Sequence, residues 1–214
     1  MRMKITKLGH CALVLEHNGV KLLTDPGSFT VEAQQKVRGL HAIVITHEHP
    51  DHYHIESIKA LLAANPGVAV FANGSVGKLL KEQGVASTQV GDGQSAEIKG
   101  MTIAGYGRDH APIYGTFGLV ENTGYMIADT FYFPGDNFHA PGRPVGVLAL
   151  PVAGPWMKIS EAIDFAKKIG APKAFGVHDG MIQPFFRGFI VERMKTFVPG
   201  TEYAALQDGE GKEF

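Results

Sequence analysis

The residues best suited to chemistry lie together between Thr46 and His54. The eight residues from His47 to His54 include four histidines and two acidic residues. Imidazole nitrogens bind zinc and other first-row metals, and carboxylates add harder oxygen donors. The cluster directly follows residues 42–46, whose continuous apolar, largely β-branched run predicts a buried strand. Because sites in α/β sheets form at the carboxyl ends of strands, this turn is a candidate metal site.

Such a turn cannot supply all the ligands of a metal ion by itself. Local geometry limits how many adjacent side chains can converge on one ion, so distant ligands must complete its coordination shell. Three polar residues each come just after a later segment that predicts a strand. They are His110, Asp136 and His178. We therefore expect them to face the same end of the fold as the His47–His52 turn.

The remaining patterns predict strands and helices that alternate towards both ends of the chain. The predicted strands are residues 3–8, 11–16, 20–24, 42–46, 68–71, 145–150, 173–177 and 203–206. The predicted helices are a short one within 28–40, one from about 55 to 65, one around 76–83, and those at 160–169 and 188–197. Residues 85–133 carry up to five short strands with Gly-rich turns, which indicates antiparallel sheet. This predicts an α/β (α+β) fold of two packed sheets with helices outside.

The order of the candidate ligands resembles that of the metallo-β-lactamase superfamily. The matching pattern is His47-x-His49-x-Asp51-His52 followed by His110, Asp136 and His178. A narrower similarity, to L-ascorbate-6-phosphate lactonases and related small hydrolases, is carried by Gly9-His10-Cys11 and Thr24-Asp25-Pro26. The similarity runs over about residues 5–206.

This resemblance implies a four-layer αββα sandwich of two mixed sheets with outer helices, and a site at one edge between the sheets. It also implies two divalent cations. The implied ligands are His47, His49 and His110 for one cation, Asp51, His52 and His178 for the other, and Asp136 as a bridge. All-nitrogen and oxygen ligation suits Zn²⁺, which we expect first, and is compatible with Mn²⁺, Fe or Ni²⁺.

A site with two such cations is typical of a hydrolase, because the cations can supply a hydroxide. Ions about 3.5–4 Å apart share a water and lower its pKa from about 15.7 towards 7, which supplies a bridging hydroxide at neutral pH. We expect Asp51 and Asp136 to be the catalytic residues, holding metal and nucleophile and relaying a proton. The expected substrate is a small anionic ester, lactone or phosphodiester. Two alternatives stay open: a metal-dependent RNA or phosphodiester nuclease, and a non-catalytic metal- or ligand-binding protein.

Bulk composition narrows these options. The 214 residues carry a net charge of −1, which weighs against nucleic acid as a partner. We expect a single domain over residues 1–214, a cytoplasmic location and no membrane association, because no signal-like or membrane-spanning apolar run is present. The lone Cys11 permits no internal disulfide and is expected to be buried and inert. A homo-oligomer remains an open expectation, since the short chain offers little insertion for substrate recognition.

Four residues near these motifs have no role fixed by sequence. His10 and Trp156 could contact substrate or serve structure, Asp25 could orient a ligand or form its Asp-Pro turn, and Tyr114 could line a pocket or pack. His54 is expected to stand outside the site. Two segments, Gly135-Asp136-Asn137 and His178-Asp179-Gly180, depart from the pattern of the family without removing a ligand, and could alter the groups that orient ligands.

Overall fold

The computed structural model describes residues 2–214. The strands are β1 (Lys4–Gly9), β2 (Ala12–His17), β3 (Val20–Thr24), β4 (Ala42–Ile45), β5 (Ala69–Ala72), β6 (Thr88–Gln89), β7 (Ser95–Ile98), β8 (Met101–Tyr106), β9 (Gly124–Ile127), β10 (Phe131–Phe133), β11 (Val147–Pro151), β12 (Lys173–Val177), β13 (Glu202–Ala204) and β14 (Gly211–Glu213). The α-helices are α1 (Val31–Gln34), α2 (Ile55–Ala64), α3 (Gly74–Glu82), α4 (Ile159–Ile169) and α5 (Pro184–Phe197).

Within these described residues the strands form two mixed sheets of seven. The first has the order β14-β1-β2-β3-β4-β5-β6, and the second has the order β13-β12-β11-β10-β9-β8-β7. Strands β3 to β6 run parallel in the first sheet, and β10 to β13 run parallel in the second. Helices join most neighbouring parallel strands, as crossover connections require. Both sheets therefore send the carboxyl ends of parallel strands towards one region.

Three apolar clusters define the layers. The largest contains inward-facing side chains of both sheets, such as Leu13, Val44 and Phe131. A second packs α4 and α5 on the outer face of one sheet, and a third packs α2 and α3 on the outer face of the other. The predicted four-layer αββα sandwich is thus confirmed. Among residues 2–214, no helix is both long enough and apolar enough to cross a membrane.

Three elements differ from the sequence prediction. Strand β6 leaves the predicted antiparallel region and pairs with β5 in the first sheet, parallel to it. Helix α5 begins at Pro184 rather than residue 188, because proline is compatible with the first helical turn, where its missing N–H is not needed. Strand β14 was not predicted, since its three residues carry no apolar alternation; it pairs with β1 at the edge of the first sheet.

A buried ion pair joins the two sheets beneath their shared edge. Lys7 follows Ile5 on the inward face of β1, because alternate strand residues point to the same side. The Lys7 side chain is fully buried, and its Nζ donates to Asp179 Oδ2 at 2.6 Å and to the Gly176 carbonyl at 3.0 Å. Arg187 Nε lies 3.1 Å from the same Asp179 oxygen. The first strand of one sheet is therefore tied to the segment that follows β12 in the other.

Replacing Lys7 with Met tests this tie, because Met keeps much of the volume but removes the charge. Breaking one side of a buried ion pair costs about 3–5 kcal/mol. Arg187 still faces Asp179, so we expect a loss of unfolding free energy of about 3 kcal/mol, at the lower end of that range. Denaturant unfolding measures it.

The control lies in the same strand. Lys4 is largely exposed and sits 3.5 Å from Glu16, so Lys4→Met should cost at most about 1 kcal/mol. Equal losses in the two variants would contradict the importance of the buried pair.

Candidate metal centre

The structure brings all seven sequence-predicted residues to one place. The His47–His52 loop follows β4, His110 comes after β8, Asp136 after β10 and His178 directly after β12. These segments come from both sheets and leave their strands in the direction of the same edge. The chain ends of apolar strands therefore deliver the polar side chains, as open α/β sheets generally do.

The side chains form three overlapping groups, within each of which the possible ligand atoms lie within 4.8 Å of one another. The groups are His47, His49 and His110; His10, Asp51, His52 and His178; and His47, His52 and Asp136. The first equals the set implied for one cation, and the second contains the set implied for the other, with His10 added. Asp136 lies between them. Its carboxylate oxygens are 3.3 Å from His52 Nε2, 3.4 Å from His110 Nε2 and 2.9 Å from His178 Nε2.

Several ring nitrogens in this cluster are buried and lack a hydrogen bond within residues 2–214. They are the Nε2 atoms of His47, His52, His110 and His178. Buried polar atoms are nearly always paired, so four such nitrogens at one point indicate a missing partner. The Asp136 Oδ1 atom is unpaired in the same way. Together they form a lining of nitrogen and oxygen donors suited to a divalent cation.

The hydrogen bonds of two candidate ligands, His110 and His178, fix which ring nitrogen carries the hydrogen. His110 Nδ1 donates to the Ala111 carbonyl and His178 Nδ1 to the Ala153 carbonyl, both at 2.6 Å. A carbonyl can only accept, so Nδ1 carries the hydrogen and Nε2 of a neutral ring is a lone pair. That lone pair faces a carboxylate oxygen of Asp136, which is also an acceptor. Two acceptors at this separation repel unless a cation or proton lies between them, so the residues fit a metal.

Asp25 does more than form a turn, because it orients two further candidate ligands, His47 and His52, on the side away from the cluster. Its fully buried carboxylate accepts hydrogen bonds from His52 Nδ1 at 2.7 Å, from Thr46 Oγ1 at 2.7 Å and from Thr46 N at 2.8 Å. His47 Nδ1 lies 3.0 Å from the same Thr46 hydroxyl. A chain from His47 through Thr46 to Asp25 therefore fixes both rings and directs their Nε2 atoms inward. Such contacts orient metal ligands and increase their basicity.

The position of the His47–His52 loop also depends on one close backbone approach. Ser28 N donates to the Pro50 carbonyl at 2.8 Å. A Cβ atom placed on Gly27 would overlap the carbonyl of Asp51. Only glycine leaves room for the loop to pass this near, which is the role glycine has at sites of close backbone contact.

Trp156 belongs to the site and was missed as a definite site residue. Its Nε1–H donates to Asp136 Oδ2 at 2.7 Å, and its side chain is largely buried. The indole centroid lies 6.1 Å from the ring centroids of both His110 and His178. In the sequence, Trp156 follows the strand that became β11, which places it at the same sheet edge as the candidate ligands. That position alone did not show whether the indole belongs to the site or only packs in the core.

Other open residues lie outside the cluster. Tyr114 is 85% exposed and pairs locally with Phe117. His54 precedes α2 and contacts Ser57 and Glu56. Of the two departures from the pattern of the family, Asn137 donates to the Asp109 carbonyl, whereas Asp179 forms the ion pair with Lys7. The role of Lys7 was not predicted, because the only signal in the sequence is its inward position in a strand.

The electrostatics of the cluster favour a bound positive charge. Burial lowers the pKa values of His47 and His49, which keeps these rings neutral. Burial would raise the pKa values of Asp51 and Asp136, but the surrounding imidazoles outweigh it and hold both carboxyls well below their usual range. Burial would lower the pKa of His178, but Asp136 and Asp51 raise it to about 10. Two ionised carboxylates thus draw a cation into a buried site.

Comparison with known proteins agrees with this geometry. Residues 4–178 match the family described as the β-lactamase superfamily domain. The chain is 34% identical over 217 residues to Protein Rv0786c of Mycobacterium tuberculosis, across 99% of this chain and 100% of that protein. It is 32% identical over 108 residues to the UPF0173 metal-dependent hydrolase Atu1317 of Agrobacterium fabrum, across 47% of this chain and 45% of that protein.

A solved structure shares the fold. Igni18, a metallo hydrolase from the archaeon Ignicoccus hospitalis, superposes with a TM-score of 0.82 at 20% identity, over 100% of this chain and 99% of that one. At this identity the likeness concerns the fold alone, whereas the family match spans most of the sequence. The chain therefore belongs to the metallo-β-lactamase superfamily, and homologues of it are named metal-dependent hydrolases.

Proposed function

We propose that this metal-dependent hydrolase of the metallo-β-lactamase superfamily holds two divalent cations and cleaves a small anionic ester, lactone or phosphodiester. One observation carries the proposal: buried imidazole lone pairs and carboxylate oxygens face one another in two adjacent groups. The assigned ligands are His47, His49 and His110 for the first cation, Asp51, His52 and His178 for the second, and Asp136 between them. Zn²⁺ is the cation we expect, and Mn²⁺, Fe or Ni²⁺ suit the same donors.

The cations would supply a nucleophile, by lowering the pKa of a water from about 15.7 towards 7, and would polarise the bond to be cleaved. The chain itself supplies position and proton transfer. Asp136 is nearly inaccessible and its Oδ2 accepts a hydrogen bond from Trp156, so we assign it a holding role. The Asp51 side chain is 19% exposed, and its Oδ2 faces His10, His52 and His178.

Asp51 is therefore the carboxylate that a substrate can reach. We assign its Oδ1 the transfer of a proton from the attacking water to the leaving group. A general acid or base of this kind contributes about 10²–10⁴-fold to the rate. The neutral indole at Asp136 fixes geometry without competing for that proton.

The net charge of the centre supports an anionic substrate. Two divalent cations would exceed the combined charge of Asp51, Asp136 and a metal-bound hydroxide by one. Two clefts each border one buried histidine of the cluster, and we assign them to the two parts of a substrate. One, of about 640 Å³, is lined by His10, Phe29 and Arg187. The other, of about 650 Å³, borders His110 and contains Arg108 and Leu119.

Lactones remain in the substrate set because of the narrower resemblance to L-ascorbate-6-phosphate lactonases. The wall of the His110 cleft includes the apolar residues Pro112, Leu119 and Val120. It suits an uncharged portion of the substrate, while the cations suit a charged one. Arg187 is already paired with Asp179 and Asp208. A panel of activated esters, lactones and phosphodiesters is therefore the direct way to identify the scissile bond.

Asp51→Asn tests the assigned chemistry. We expect elemental analysis of purified wild-type protein, prepared without chelators, to give two first-row metal ions per chain. The variant should lower kcat on any substrate found in the panel by about 10²–10⁴-fold, because asparagine cannot carry the proton. Steady-state kinetics with matched metal loading measure the loss.

Asp129→Asn is the matched control. Asp129 is an exposed aspartate that pairs with Arg143 and has a positive φ, which asparagine tolerates. It should leave both metal content and kcat unchanged. The proposal would be contradicted if wild-type protein contained well under one metal ion per chain, or if Asp51→Asn kept full activity.

A second test concerns protons released on metal binding. The raised pKa of His178, about 10, means that the metal-free ring is protonated at neutral pH. A cation must displace that proton to use Nε2. Titration of metal-free protein with Zn²⁺ by calorimetry, in buffers of different ionisation enthalpy, should show at least one proton released per chain. A binding heat that does not depend on the buffer would contradict this assignment.

A further inference from the structure

We propose that His10 is a positioning residue that donates a hydrogen bond to Asp51 and is not a ligand of the second cation. The inference rests on the proposed metal centre. His10 looks at first like a ligand, because its ring nitrogen groups with Asp51, His52 and His178 within 4.8 Å. Its hydrogen bonds, however, give it the opposite tautomer from that of the ligands.

The backbone amide of Gly180 fixes that tautomer. Gly180 N donates to His10 Nδ1 at 3.1 Å. An amide N–H can only donate, so His10 Nδ1 is a lone pair and the hydrogen of the neutral ring lies on Nε2. That Nε2–H points to Asp51 Oδ2 at 3.0 Å. If Nε2 gave up its hydrogen to bind a cation, Nδ1–H would face the amide N–H, donor against donor.

The contrast with His178 is direct. His178 donates from Nδ1 to the carbonyl of Ala153, which leaves its Nε2 as a lone pair for metal. His10 accepts at Nδ1, which leaves its Nε2 as a donor. The two rings are neighbours, with centroids 4.3 Å apart, so their different roles arise from the backbone groups behind them rather than from their distance to the centre.

The surroundings of His10 hold it in this role. The residue is 1% exposed and its φ of 49° places it in the left-handed turn between β1 and β2. Its carbonyl accepts a hydrogen bond from His178 N at 3.2 Å, and its ring also packs against Phe29 at 4.8 Å. A Cβ on Gly180 would crowd both His10 Nδ1 and Phe29 at 3.0 Å. His10 therefore contacts the segment 178–180 through both backbone and side chain.

The consequence concerns Asp51. A hydrogen bond to Oδ2 limits rotation of this carboxylate and sets which oxygen faces the cation and which faces the substrate. Losing a partner that orients a metal ligand typically weakens metal affinity about 10–100-fold. The second cation, held by Asp51, should be affected, and the first, held by His47, His49 and His110, should not.

Three variants distinguish a positioning role of His10 from a metal-ligand role. His10→Phe keeps the ring and removes both nitrogens, and His10→Gln restores an N–H donor near the position of Nε2. His41→Phe is the control, because His41 Nδ1 also accepts from a backbone amide, that of Lys21 at 3.0 Å, but lies away from the centre. The measurement is the affinity for each Zn²⁺ ion, obtained by competition with a chromophoric chelator, with circular dichroism to verify folding.

We expect His10→Phe to bind the first ion as the wild type does and the second about 10–100-fold more weakly. His10→Gln should recover most of that affinity, and His41→Phe should match the wild type. Unchanged affinity in His10→Phe, or a loss in His10→Gln as large as in His10→Phe, would overturn the inference. So would a His10→Phe protein that binds one ion only, because a removed ligand would have that effect.

A readout on the unmodified protein covers the case in which a variant does not fold. Long-range ¹H–¹⁵N correlation spectra of Zn²⁺-loaded wild-type protein should show His10 with its hydrogen on Nε2 and His110 and His178 with theirs on Nδ1. A Nδ1–H tautomer at His10 would overturn the inference while leaving the proposed function intact. Wild-type protein that binds less than one ion would instead overturn the proposed function on which this inference rests.

Discussion

The structure is arranged around lone pairs that point at other acceptors inside the protein. The Nε2 atoms of His52, His110 and His178 face the carboxylate of Asp136 in a buried space. With neutral rings, acceptor repulsion and lost hydration would oppose this arrangement, so each such contact needs a positive charge between its partners. In the metal-free protein a proton on His178 supplies it, as the raised pKa of that ring indicates. Backbone carbonyls and Asp25 fix the far side of these rings, and in the proposed centre a divalent cation would replace the proton on the near side.

That constraint explains why the site needs two sheets. Asp25 and the His47–His52 loop come from the first sheet, whereas Asp136 and His178 come from the second. A shift of one sheet against the other would separate the halves of the centre. The Lys7–Asp179 ion pair and the contacts of His10 with residues 178–180 cross between the sheets at this edge. They keep the two halves in register where the geometry matters most.

Much of the fold and of the candidate site could be predicted from sequence, because the polar site residues come directly after apolar strands. Each candidate ligand came after an apolar run, and this order predicted two packed sheets and a shared end for the polar residues. The four-layer sandwich and the division of seven ligands between two cations were implied by the resemblance to the metallo-β-lactamase superfamily. The roles of His10 and Trp156 could not be read, because each depends on a hydrogen bond to a group far along the chain, such as Gly180 for His10. Lys7 and β14 were missed for a related reason: an inward lysine or a short polar strand has meaning only once its partner is placed.

Trp156 gives the protein an optical property that follows from its position. It is the only tryptophan in the chain, and its indole N–H is hydrogen-bonded to Asp136. Indole emission responds to nearby charge, so the tryptophan fluorescence of the whole molecule originates beside one carboxylate of one site. Occupancy of the centre, exchange of one ion for another and arrival of a charged ligand can then be followed in the unmodified protein in real time, without an attached dye and without background from other tryptophans.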